Sequence, residues 1–104
     1  MARVVIAPAA DEDTDVILAD LASIAGRRTA AKYDSLFDQL YVRLAAYPEI
    51  GAPRPHLGPA VRIGIVSQYI IIYRYASDTD TVTVLRIVHG RRRIIRSMLP
   101  ELRR

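Results

Sequence analysis

The chain has 104 residues, 51% of them hydrophobic and 25% charged, which suits one globular domain over residues 1–104 and is too little for two separate cores. It contains no cysteine, so disulfide frameworks and thiolate metal sites are excluded, and a cytoplasmic location is expected. The net charge of +4 is unevenly spread: residues 1–50 carry five basic and eight acidic side chains, and residues 51–104 carry ten and three. A basic second half points to a nucleic-acid or acidic-protein partner there, or to a solvated arginine-rich surface.

Residues 3–7 are short, apolar and β-branched, as a strand requires, and Pro8 ends them. A helix is predicted from about Ala9 to Ala25. Asp11, Glu12 and Asp13 suit its positive N-terminus, Ala10, Ile17, Leu21 and Ile24 form its apolar stripe, and Gly26 stops it. A second helix is predicted from about Thr29 to Tyr47, with Tyr33, Leu36, Phe37, Leu40, Leu44 and Tyr47 at spacings of three and four. Pro48 terminates it, and the short break at Gly26 makes the pair an antiparallel hairpin.

Residues 48–59 contain Pro48, Gly51, Pro53, Pro55, Gly58 and Pro59, a density that predicts a rigid connector without regular structure. Three strands are expected next, from about Val61 to Val66, Tyr69 to Tyr75 and Thr81 to Val88, joined by turns into an antiparallel meander. From Arg91 to Arg104 the chain is a basic tail with Ile94, Ile95, Met98, Leu99 and Leu102 at near-helical spacing, limited by Pro100. The order β-α-α-β-β-β, with helices segregated from an antiparallel sheet, defines an α+β fold. Its apolar runs are too short for a signal peptide or a bilayer span, so no membrane association is expected.

Few residues offer catalytic chemistry. With two histidines and no cysteine, neither a metal site nor a cofactor is expected. His89, at a strand end beside Gly90, is either a general acid–base or a strand-end cap. The serines lack an elbow motif, and the glycines are isolated, so no phosphate-cradling loop exists. Arg62, Arg74 and Arg86 fall one per predicted strand and make a basic platform if the register puts them on one face. Arg91, Arg92, Arg93 and Arg96 lie just beyond. Such a surface suits RNA phosphates or an acidic protein segment. Tyr69, Tyr73 and Tyr75 alternate on one strand, as stacking platforms or as half-buried core.

Three stretches resemble the RelE/ParE toxin superfamily, and its ParE branch most closely. They are Leu44-Ala45-Ala46-Tyr47-Pro48-Glu49-Ile50-Gly51, then Val61-Arg62 leading into Tyr69-Ile70-Ile71-Ile72-Tyr73-Arg74, then Val84-Leu85-Arg86-Ile87-Val88-His89-Gly90-Arg91-Arg92. The resemblance implies the toxin of a type II toxin–antitoxin pair. RelE-like members cleave mRNA on the ribosome without metal, whereas ParE-like members poison DNA gyrase. Either is neutralised by an antitoxin, here a ParD-like ribbon-helix-helix protein whose C-terminal tail wraps the toxin in a hetero-oligomer and through which operator DNA is reached indirectly.

Set against RelE-like nucleases, Arg92 matches a basic position after the last strand. The catalytic arginine falls near Ile65, however, and the C-terminal tyrosine near Met98, neither of which can do that work. Gyrase inhibition by binding, without catalysis, is therefore the favoured expectation. An mRNA interferase or a non-toxic co-repressor remnant are the alternatives. Candidate target-binding residues are His89, Arg91, Arg92, Arg93, Arg96 and Met98. Candidate antitoxin-binding residues are Val16, Leu18, Tyr41, Arg62, Tyr73, Arg74 and Arg86.

Overall fold

The computed structural model describes residues 1–99; Pro100 and Leu102 of the expected tail lie outside the described residues. Strand β1 is Arg3–Ile6. Pro8 does more than end it. As the first residue of helix α1 (Pro8–Ala25) it lends its fixed φ to the opening turn, where its missing N–H has no partner to lose. Gly26, at φ 92°, closes α1 in a conformation that side-chain-bearing residues rarely adopt, and helix α2 (Arg27–Ala46) follows at once. Phe37, Leu40 and Leu44 form the buried stripe of α2. The α1 stripe is weaker, since Ala10 is buried, Ile17 and Leu21 are half-buried, and Ile24 is 85% exposed.

The connector is more ordered than its proline density predicts. Ala52–Pro53 forms a short edge strand, β2, and Pro55–Leu57 a single 3-10 turn. Proline is compatible with an edge strand because the outer side needs no N–H donor. Strands β3 (Val61–Val66), β4 (Tyr69–Ala76) and β5 (Thr81–His89) form the expected meander. The sheet order is β1-β5-β4-β3-β2, with β1 parallel to β5 and the other pairs antiparallel.

Both faces of the sheet are covered over much of their area, which explains the unbroken apolar run Tyr69 to Tyr73. The helices pack on one face against Val66, Tyr69, Ile71, Tyr73, Val82, Val84 and Ile87. On the second face Leu57, Val61, Ile72, Leu85, Val88 and Leu99 form a smaller core, flanked by Ile94 and Met98. Ile94, Met98 and Leu99 thus cover a sheet face, whereas Ile95 is 48% exposed. The described part of the tail is not a regular helix but an extended segment with one 3-10 turn at Arg96–Met98.

Register separates the three strand arginines. Arg62 stands opposite Tyr73 on the helix-covered face, whereas Arg74 opposite Val61 and Arg86 opposite Ile72 belong to the other. The continuous platform does not form, because Arg62 and Arg74 fall on strands whose inward and outward positions are out of phase.

Candidate functional site

The exposed basic residues gather where β5 ends. His89, Arg91, Arg92, Arg93 and Arg96 are all exposed, and Met98 is half-buried. Among the described residues none of these four arginines has a carboxylate partner. The backbone from Gly90 to Arg92 is held at the strand end. Gly90 N–H donates to the Gln68 carbonyl at 2.7 Å, Arg92 N–H to the His89 carbonyl at 2.9 Å, and Arg91 N–H to His89 Nδ1 at 3.2 Å. A Cβ on Gly90 would stand 3.1 Å from the Gln68 carbonyl oxygen, so a side chain there would crowd the strand end.

This end of the sheet frames two shallow depressions. One, of about 480 Å³, lies between the β3–β4 turn and the end of β5, lined by Ile65, Ser67, Gln68, Tyr69, Ile70, His89, Gly90 and Arg91. The other, of about 340 Å³, lies between α1 and β5, with Val16, Ile17, Asp20, His89 and Arg92 on its wall. Tyr69 and His89 border both, their rings edge-on with centroids 5.8 Å apart. Tyr33 and Phe37 of α2 buttress Tyr69 from beneath, and the Tyr33 hydroxyl donates to Gln68 Oε1 at 3.1 Å. Ile65, 61% exposed, adds an apolar side chain at the rim that charge counting overlooks.

The residues expected to meet an antitoxin are dispersed. Val16 is 60% exposed beside the α1–β5 depression, but Leu18 is half-buried against the helix-side core. Tyr73 is fully buried and cannot meet a partner; its hydroxyl accepts the Gly51 N–H at 2.9 Å. Arg62 donates to the Glu49 and Gly51 carbonyls at 2.9 and 2.8 Å, tying the connector to the sheet. Arg74 is partly exposed on the second face. Tyr41 is half-buried, and its hydroxyl has no hydrogen-bond partner among the described residues. Burial, then the charges of Asp38 and Asp34, push that phenol up to about 12, while the nearby Thr14 hydroxyl opposes the shift.

Arg86 is also engaged within the fold. Its Nε and Nη2 donate to Asp13 at 2.6 and 2.9 Å, and its Nη1 donates to the Met98 carbonyl at 2.9 Å. The hydrogen bonds that it donates to Asp13 raise the guanidinium pKa above its usual value. Asp13 reads in sequence as a helix-start residue. Because α1 begins at Pro8, it lies in the second turn instead, and its carboxylate also accepts the Ile87 N–H at 2.9 Å. No motif marks this role, since the partners are more than seventy residues apart.

A β1-α1-α2 unit packed on an antiparallel-dominated sheet is the α+β architecture of RelE/ParE-like proteins. The family model described as "ParE toxin of type II toxin-antitoxin system, parDE" matches residues 4–94, and the chain belongs to that family. It is 29% identical over 91 residues to Toxin ParE3 of Caulobacter vibrioides, covering 88% of this chain and 89% of that one. A chain of a chromosomal ParDE system from P. aeruginosa superposes with a TM-score of 0.71 at 22% identity, covering 86% of this chain and 96% of its own. A chain of the toxin–antitoxin complex RelBE2 from Mycobacterium tuberculosis gives 0.60 at 20% identity, with coverages of 85% and 96%. Among the described residues no helix is long and apolar enough to cross a membrane, and no group of histidine and acidic side chains is placed to hold a metal ion.

Proposed function

We propose that this ParE-family toxin acts in the cytoplasm by binding DNA gyrase through the basic end of its sheet, without catalysis. The observation that carries this reading is the cluster Arg91, Arg92, Arg93 and Arg96, exposed and without carboxylate partners among the described residues, with the backbone of Arg91 and Arg92 held at the end of β5. Cations gathered at a strand end suit an acidic protein surface, where they set orientation and encounter rate. Ile65 and Met98, at the positions that RelE-like nucleases give to arginine and tyrosine, supply neither a phosphate ligand nor a proton shuttle.

The proposed neutralising partner is a ParD-like antitoxin with a ribbon-helix-helix domain. Its C-terminal segment folds on the toxin, and operator DNA is reached only through it. That segment engages the helical hairpin near Val16, where apolar surface remains open.

Induction in a heterologous bacterium tests the function directly. Gyrase binding predicts filamentation with a DNA-damage response, and inhibition of supercoiling by purified gyrase. Immediate arrest of translation with cleavage of ribosome-bound mRNA, abolished by Arg92→Ala, would establish an mRNA interferase instead. Normal growth together with operator repression in the presence of the antitoxin would mark a non-toxic remnant.

A further inference from the structure

The parallel partner of β5 stops short. β1 pairs with β5 only as far as Ile6 opposite Val84, and the Ala7 N–H then donates to the Val84 carbonyl. Beyond that point the edge of β5 has no strand beside it among the described residues, and an unpaired backbone donor near a core needs another acceptor. Asp13 supplies it by accepting the Ile87 N–H. The register shift between Ile72 and Tyr73 inserts Leu85 as an extra residue in β5 and places Arg86 opposite Ile72, on the face where the tail lies.

Arg86 thereby spans two elements. One edge of its guanidinium forms a two-point pair with Asp13, and the remaining nitrogen holds the Met98 carbonyl. Both side chains of the pair are mostly shielded, at 18% and 16% exposure. A planar fork fixed on one edge by a carboxylate presents its other N–H groups in a fixed direction. Leu99, fully buried on the same sheet face, follows Met98 directly, so the carbonyl bond and the apolar anchor act on adjacent residues.

We propose that Asp13 is a positioning residue for the target-binding surface: acting through Arg86, it sets where the segment from Arg91 to Met98 lies on the sheet. This rests on the reading that the basic tail meets the target. Without the carboxylate, Arg86 is a partly buried cation lacking its counter-ion; it turns to solvent and releases the Met98 carbonyl. The tail then leaves the sheet more often, and its arginines lose their common geometry while the helical hairpin and sheet persist.

The test uses the full chain carrying Asp13→Asn, and separately Arg86→Lys, whose single ammonium cannot fork between Asp13 and Met98. Three readouts are taken: tryptic cleavage after Arg93 and Arg96 relative to Arg27 and Arg28, affinity for the cognate antitoxin, and growth inhibition. Cleavage in the tail is expected to accelerate about tenfold in both variants, tracking the population of the opened tail, with antitoxin affinity little changed. Leu99→Ala, which loosens the tail by another route, should reproduce the pattern. Accelerated cleavage with loss of growth inhibition supports the proposal. Unchanged tail cleavage in the folded Arg86→Lys protein overturns it and leaves the tail-binding reading intact. Accelerated cleavage with full growth inhibition shows that Asp13 positions the tail but overturns the tail as the target surface. If Asp13→Asn does not fold, Arg86→Lys and Leu99→Ala decide between these outcomes.

Discussion

Gly51 and Tyr73 share a contact with no room for a side chain: the Gly51 N–H donates to the Tyr73 hydroxyl at 2.9 Å, and a Cβ on Gly51 would lie 2.6 Å from that oxygen and 2.5 Å from the Ile63 carbonyl. A buried phenol thus joins the β2–β3 pairing and Arg62 in docking the proline-rich connector on the sheet. Gly51→Ala should destabilise the fold by about 2–3 kcal/mol through overpacking, and Tyr73→Phe by about 1–2 kcal/mol through the lost hydrogen bond. Denaturant melts of the two variants check both, and a melt of Gly51→Ala matching the parent would show that the connector yields freely.

Tyr41 carries the opposite expectation. Its hydroxyl lacks a hydrogen bond among the described residues, so Tyr41→Phe should leave the protein as stable or raise stability by up to about 1 kcal/mol. The phenol pKa is raised to about 12 in the folded chain from an ordinary value of 10.0. The folded state therefore keeps a proton that the unfolded state gives up. This contribution is fully present below pH 10.0 and is lost as the pH rises towards about 12. Stability measured across that interval should fall less steeply in Tyr41→Phe than in the parent.

The basic cluster is expected to separate toxicity from folding. Arg91→Ala combined with Arg93→Ala removes two exposed cations that hold no carboxylate among the described residues, so stability should change by less than about 0.5 kcal/mol. Growth inhibition should disappear while antitoxin binding persists. Full toxicity in the folded double mutant would place the target surface elsewhere.

Val16 tests the other partner. It is 60% exposed on α1, so Val16→Asp should leave the thermal midpoint close to the parent. It should weaken antitoxin binding by roughly tenfold or more if an apolar antitoxin segment lies there, as isothermal titration of the purified pair would measure.

Much of the fold was legible in local patterns. The helix containing Phe37, Leu40 and Leu44, and the three Val- and Ile-rich strands, have boundaries within one or two residues of those expected. β2 was hidden, because two residues paired with β3 leave no periodic signature. The tail looked helical because Ile94, Met98 and Leu99 recur at helical spacing, yet an extended segment with a single tight turn presents them to one sheet face equally well.

Sequence alone determined the order of the two helices and four longer strands, the α+β class, the basic second half and the resemblance to ParE toxins, since each depends on composition, periodicity or short contiguous motifs. Tertiary structure decided which charges are available. Register placed Arg62 and Arg74 on opposite faces, and the early end of β1 drew Asp13 onto Ile87 and Arg86. Packing enclosed Tyr73 while leaving Arg91, Arg92, Arg93 and Arg96 in solvent. The physical reason is that an arginine's partner is set by groups brought near it in space, and a one-residue change of register or the length of a neighbouring strand alters those groups without altering any local pattern.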